Sequence, residues 1–137
     1  MIDLNKLVKT GNNTIDEEHT HFLTYINNLY SLIEQKADKD TISAKLSEMI
    51  LCAREHFRHE EDIIQAIDYP DTLKHKREHE RILKTMQLAI IQCREDNSTY
   101  LLENALQDSI EAWVLTHINE MDIPLLKHYY QQKGKEE

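Results

Sequence analysis

Apolar residues recur every three or four positions along most of the chain, and four long stretches carry that pattern as a continuous seam. The first reads Ile15, His19, Phe22, Ile26, Leu29, Ile33 and the second Ile42, Leu46, Met49, Ala53, His56, Glu60, Ile63, Ile67. The third is His75, His79, Ile82, Met86, Ala89, Cys93, and the fourth Leu102, Leu106, Ile110, Trp113, His117. Such steps place every seam residue on one face of an α-helix. They predict helices over 15–36, 41–67, 72–95 and from about 99 onward. β-branched alternation beyond a few residues is absent, so the chain reads as all-α.

The breaks between the seams are short and polar. Thr10-Gly11-Asn12-Asn13 forms a turn cluster, after which Thr14 and Glu17 have capping-box spacing and Asp16, Glu17 and Glu18 put negative charge at the helix start. Ala37-Asp38-Lys39-Asp40 links the first two helices. Pro70 disfavours helical geometry at Tyr69, and Asp71 is placed to cap the third helix. Asp96-Asn97-Ser98-Thr99 is the last turn, with Ser98 or Asn97 as cap. Links this short imply antiparallel neighbours, hence an up-down-up-down antiparallel four-helix bundle over residues 14–130. An N-terminal arm, 1–13, precedes it, and a polar tail, 131–137, is expected to fray.

A formal charge of −9 argues against nucleic acid or an anionic membrane as partner. No apolar run approaches the roughly 20 residues of a membrane span, and the start Met-Ile-Asp-Leu-Asn lacks signal-peptide character, so a cytoplasmic location is expected. Cys52 and Cys93 fall about 9 Å of helix rise apart on neighbouring helices, which favours two semi-buried free thiols over a disulfide.

The seams are apolar except where they carry histidine and carboxylate. His56 and Glu60 stand about 40° apart around one helix, at consecutive core positions. An unpaired carboxylate buried there would cost several kcal/mol or more, so a compensating group is required. His19 lies early in the first helix, His56 and Glu60 late in the second, His75 and His79 early in the third and His117 late in the fourth. In an antiparallel bundle all of these lie at one end. Asp122 follows His117 by five residues, about 140° around a regular helix, and can share the site only if the helix loosens or ends between them; Pro124 supplies a reason. Imidazole and carboxylate without thiolate suit iron, manganese or zinc, and seven protein ligands are too many for one ion. Two ions are implied.

The order H…HxxxE…HxxxH…HxxxxD, with Ile15-Asp-Glu-Glu-His19, Ile26-Asn27, His56-Phe57-x-x-Glu60-Glu61, Tyr69-Pro70, His75-Lys76-x-x-His79 and Trp113-x-x-x-His117-Ile118, resembles the hemerythrin family, in particular its single-domain bacterial members. The resemblance covers roughly residues 14–123. It implies that His75, His79 and His117 bind one iron and His19 and His56 the other, with Glu60, Asp122 and an oxo or hydroxo group bridging the pair. Eleven of the twelve positions of two octahedra are then filled, and the open one is on the iron with two histidines. It further implies reversible O2 binding there, for storage, delivery or sensing, rather than an enzymatic activity. Alternatives using the same residues are a di-iron oxidase or peroxidase and a redox or O2 signalling module, whose protein partner the sequence does not identify.

Reversible binding needs a tight apolar pocket, and Phe22, Leu23, Ile63, Trp113 and Val114 are its expected walls. Ile64, Ile82 and Val114 stand where the family often has methionine, phenylalanine and leucine, and the arm lacks a tryptophan often seen there, from which a roomier pocket and faster autoxidation are expected. His21 and His59 lie off the seams and read as solvated surface histidines, with support of a neighbouring ligand as the alternative, and His128, near the tail, has no evident partner.

Overall fold

The first two long helices begin where a side chain accepts from the free N–H groups of the first turn. The computed structural model describes residues 2–95 and 99–135, the last two by backbone alone. Helix α1 spans Asn13–Glu34 and is capped by Asn12, whose Oδ1 accepts from the Ile15 N–H at 3.0 Å. The cap is therefore not Thr14, as the capping-box spacing suggested. Gly11, at φ 92°, turns the chain at that point. Asp16 reaches back to hold the turn, accepting from the N–H and hydroxyl of Thr10, each at 2.8 Å, and from the Gly11 N–H at 3.3 Å.

Helix α2 spans Lys39–Ile67 and starts two residues before the expected Thr41, because Asp38 Oδ1 accepts from the Thr41 N–H at 2.8 Å. It ends on Asp68, in the left-handed region at φ 50°, whose N–H returns to the Ile64 carbonyl. Helix α3 spans Thr72–Glu95; the Asp71 carbonyl accepts its first bond, from the His75 N–H at 3.0 Å. The caps expected at Asn97 or Ser98 lie outside the described residues.

The fourth helix, α4, runs over residues 100–135 and changes pitch along its length. Tyr100–Asn104 is α-helical, Ala105–Glu111 π-helical, Ala112–His117 α-helical, Ile118–Asp122 π-helical and Ile123–Lys135 α-helical again. It does not stop at Pro124, and the polar tail expected to fray from Gln131 is helical as far as Lys135.

Cross-helix contacts fix the antiparallel order. Glu18 near the start of α1 meets His56 late in α2, Ser43 early in α2 meets Cys93 at the end of α3, and Tyr30 late in α1 donates to Glu111 of α4 at 2.5 Å. The arm makes one 3-10 turn, Leu4–Lys6, and is pinned by Asn27, whose side chain bonds both the N–H of Ile2 (2.8 Å) and its carbonyl (2.9 Å). No helix among the described residues is long and apolar enough to cross a membrane.

The seams pack into one main core that includes Ile26, Leu46, Met49, Met86, Leu106 and Ile110. Two seam assignments shift. In α2 the buried residue after Glu60 is Ile64, not Ile63; in α4 it is Val114 that is buried, while Trp113 is half-buried. Both cysteines are free, but Cys93 is fully rather than partly buried. Ile64 forms a second, smaller cluster with Leu125 and Leu126. Since these follow Glu60 and Asp122 by about one turn, the polar layer lies between the main core and this apolar cap.

Candidate metal centre

Helix pitch decides which polar side chains can meet in that layer. His19 projects from the second turn of α1, His56 and Glu60 share a face of α2, and His75 and His79 share a face of α3, each pair four residues apart. In α4 the π-turn does what a regular helix could not. The Ile123 N–H bonds the Ile118 carbonyl five residues back, so five residues close a turn and Asp122 comes round to the face of His117. The helix loosens between them rather than ending.

All seven side chains are buried, and Glu60 and Asp122 are completely so. Five imidazole Nε2 atoms converge on the two carboxylates. His56 Nε2 lies 2.7 Å from Glu60 Oε1 and His19 Nε2 2.9 Å from Asp122 Oδ2. His75 Nε2 lies 3.3 Å from Glu60 Oε2 and 3.2 Å from Asp122 Oδ1, and His117 Nε2 3.0 Å from Asp122 Oδ1. His79 and His117 face each other Nε2 to Nε2 at 3.1 Å. Ligand atoms within 4.8 Å of one another fall into two sets: His75, His79 and His117, and His19 and His56, each completed by Glu60 and Asp122. The two carboxylates belong to both.

Protons alone serve this cluster badly. Among the described residues, Glu60 Oε1 and Asp122 Oδ1 find no hydrogen bond of good geometry, and neither do the Nδ1 atoms of His19, His75, His79 and His117. Burial opposes charge on His56 and His75, yet the surrounding carboxylates push their pKa up to about 10 and about 9. His79 is driven down to about 2, first by burial and then by the positive charge of His117 and His75. Asp122 stays well below the usual carboxylate range although burial raises it, because hydrogen bonds with Glu60, His117 and His19 and the charge of His117 outweigh burial. A cation between the Nε2 atoms would satisfy both carboxylates and let every imidazole stay neutral. The donor set fits non-haem iron.

Aromatic rings wedge the imidazoles. Phe57 stacks on His79, with centroids 3.9 Å apart and planes 9° apart, and Trp113 stacks on His117 at 4.4 Å and 15°. The Trp113 indole N–H donates to Glu78 at 2.8 Å. A cavity of about 20 Å³ touches the cluster, lined by Phe22, Ala53, Phe57, Trp113, Val114 and Ile118 together with His19, His56, His117 and Asp122. Of the expected walls, Phe22, Trp113 and Val114 line it. Leu23 is in the core elsewhere, and Ile63 packs on the Ile64 cap. Phe57, Ala53 and Ile118 were missed, although each lies next to or one turn from a seam histidine. Ile64 and Ile82 do not line the cavity, so only Val114 among the smaller side chains can widen it.

His59, read as a solvated surface residue, is tied into the site. Its Nδ1 lies 2.6 Å from Glu18 Oε2, while Glu18 Oε1 lies 3.3 Å from His56 Nδ1. Burial raises the pKa of Glu18, but its bonds to and the charges of these two histidines bring it below the usual value. His21 is exposed, and His128 packs edge-on to Tyr69 at 5.3 Å.

The family model for the hemerythrin HHE cation binding domain matches residues 10–128. The chain is similar to a bacteriohemerythrin of Clostridium acetobutylicum, 31% identical over 116 residues, which cover 82% of this chain and 88% of that protein. Bacteriohemerythrins of Aquifex aeolicus and Campylobacter jejuni are each 22% identical, over 89% and 95% of this chain and 92% and 96% of their own lengths. With seven buried ligand-type side chains inside the matched span, the chain belongs to the hemerythrin family.

Proposed function

We propose that this protein binds O2 reversibly at a non-haem di-iron centre. His75, His79 and His117 hold one iron, His19 and His56 hold the other, and Glu60, Asp122 and an oxo or hydroxo group bridge them. When bound, ferrous iron supplies the electrons that O2 takes up and returns. The observation that carries the reading is the position of the small cavity. It borders both histidines of the two-histidine set but only His117 of the other, which is the side where the ligand count leaves a position open.

What the chain contributes is mostly exclusion. Phe22, Ala53, Phe57, Val114 and Ile118 make the free walls apolar, and a space of about 20 Å³ is only a little more than one water needs. Every titratable group that lines the cavity is itself one of the proposed ligands. No spare acid is therefore in place to protonate reduced oxygen and release it, which favours binding over oxidase chemistry.

The test is the visible spectrum of the iron-loaded, reduced protein, followed through cycles of air and degassing. A band that appears with O2 and disappears on degassing supports the reading. Irreversible oxidation with release of peroxide on the first exposure would replace it with an oxidase or redox-signalling role.

A further inference from the structure

The five histidines of the site are not equivalent on their outer side. Four of them, His19, His75, His79 and His117, have a buried Nδ1 with no hydrogen-bond partner among the described residues. His56 alone has one, the carboxylate of Glu18. That carboxylate is held in turn by His59 at 2.6 Å, and His59 Nε2 lies 3.6 Å from Glu55 at the surface. A single chain of polar contacts, Glu55, His59, Glu18, His56, thus runs from solvent to one imidazole. Glu18 also directly precedes His19, the other histidine of the same set, in α1.

We infer that Glu18, held in place by His59, is a positioning residue for His56, fixing the imidazole and strengthening it as a donor to the metal that has fewer protein ligands. His56 Nε2 points into the cluster, so the ring proton sits on Nδ1 and donates to Glu18. A carboxylate on the outer nitrogen sets the tautomer, restricts ring rotation and raises the basicity of the inner nitrogen. The two-histidine metal needs this most. Its partner has three imidazoles, two of them clamped by stacked Phe57 and Trp113, whereas among the described residues His19 and His56 meet no ring in parallel stacking. The inference rests on the two-metal reading proposed above.

The experiment titrates metal-free protein with ferrous iron under anaerobic conditions against a competing chelator, for the wild type, Glu18→Ala, Glu18→Gln and His59→Leu. Wild type is expected to take two ions. In Glu18→Ala the affinity for one ion should fall by about 10- to 100-fold while the other is retained. Glu18→Gln, whose amide oxygen still accepts but carries no charge, should fall less, and His59→Leu should lie between Gln and wild type. The midpoint potential of the iron-loaded Glu18→Ala protein should rise, because the His56 donor is weakened. Unchanged affinities in Glu18→Ala, or an equal loss at both ions together with a fall in melting temperature, would overturn the positioning role. A wild type that takes up one ion would overturn the two-metal reading itself, and the inference with it. Glu18→Gln preserves size and hydrogen bonding, so the comparison survives if Glu18→Ala folds poorly.

Discussion

Trp113 lies flat on His117, with ring centroids 4.4 Å apart, and its indole N–H is tied to Glu78 of α3 at 2.8 Å. The same two residues, Trp113 and His117, border both the small inner cavity and a groove of about 630 Å³ open to solvent between α3 and α4. The indole is therefore the partition between water and the site.

Glu78→Leu should loosen that partition without touching a ligand. A hydrogen bond to a carboxylate contributes about 1.5–3 kcal/mol when buried, and about 1 kcal/mol once partial exposure is allowed for. Opening should become several-fold more frequent. On the proposed O2-binding reading, autoxidation of the oxygenated protein, followed by the decay of its visible band, should speed up by a similar factor, with iron content unchanged. Decay at the wild-type rate would mean that water enters elsewhere.

Metal removal should leave a protein whose stability peaks near pH 6.5. His56 and His75 have folded pKa values raised to about 10 and about 9, so their contribution is complete below the ordinary value of about 6.5 and is lost as pH rises through the folded values. His79, lowered to about 2, and Asp122, also lowered, work the other way and cost stability as pH falls. Urea melts of chelator-stripped protein at pH 5, 6.5, 8 and 9.5 check this. In the iron-loaded protein the alkaline slope should vanish, because the Nε2 atoms are bonded to metal rather than to protons. A slope that survives loading would place those histidines outside the metal site.

The helices and most of the cluster were legible because their signals are local. Steps of three and four fix a helical face whatever the neighbours do, and histidines on four such faces at one level had nowhere to go except toward each other. Asp122 was readable only conditionally: the five-residue spacing demanded a loosened helix, but spacing alone does not say whether the chain stops or widens its pitch. Phe57, Glu18 and His59 were missed for a different reason. Their roles depend on which neighbouring helix they meet, and the periodicity of one helix carries no information about its partner's rotation. Trp113 was placed in the seam instead of Val114 because the π-segment Ala105–Glu111 widens the turn, so that four-residue steps from Leu106 and Ile110 lead on to Val114.

Tyr30 and Glu111 tie α1 to the end of that first π-segment, with the hydroxyl donating at 2.5 Å. Burial and then the Glu111 carboxylate raise the Tyr30 pKa above the ordinary tyrosine value. A raised acid contributes stability below its unfolded pKa of about 10 and loses it above. Tyr30→Phe should therefore cost about 1 kcal/mol at pH 7, and the gap to wild type should close as pH passes 10, as read by urea midpoints. An equal gap at pH 7 and pH 11 would assign the loss to packing instead.

The second π-turn makes the least intuitive prediction. Ile118–Asp122 brings Asp122 under His117 with five residues to the turn, and it ends two residues before Pro124, which has no N–H to donate and whose ring excludes a carbonyl four residues back. Four residues would serve the same purpose in a regular α-helix, where they leave two side chains about 40° apart. Deletion of the exposed Glu120 combined with Pro124→Ala should therefore give a regular helix that keeps both metals and the apolar cap of Leu125 and Leu126. The deletion alone should retain the ligand facing but lose roughly 3 kcal/mol, because the proline then lies inside an α-helix. Deletion of Thr116, which is exposed in the α-helical segment, should instead turn His117 about 100° relative to Trp113 and Val114 and abolish metal uptake. Metal content and urea midpoints of the three variants decide the matter. Loss of metal in the combined Glu120 variant would mean that the widened turn itself, and not merely the shared face, sets the distance between His117 and Asp122.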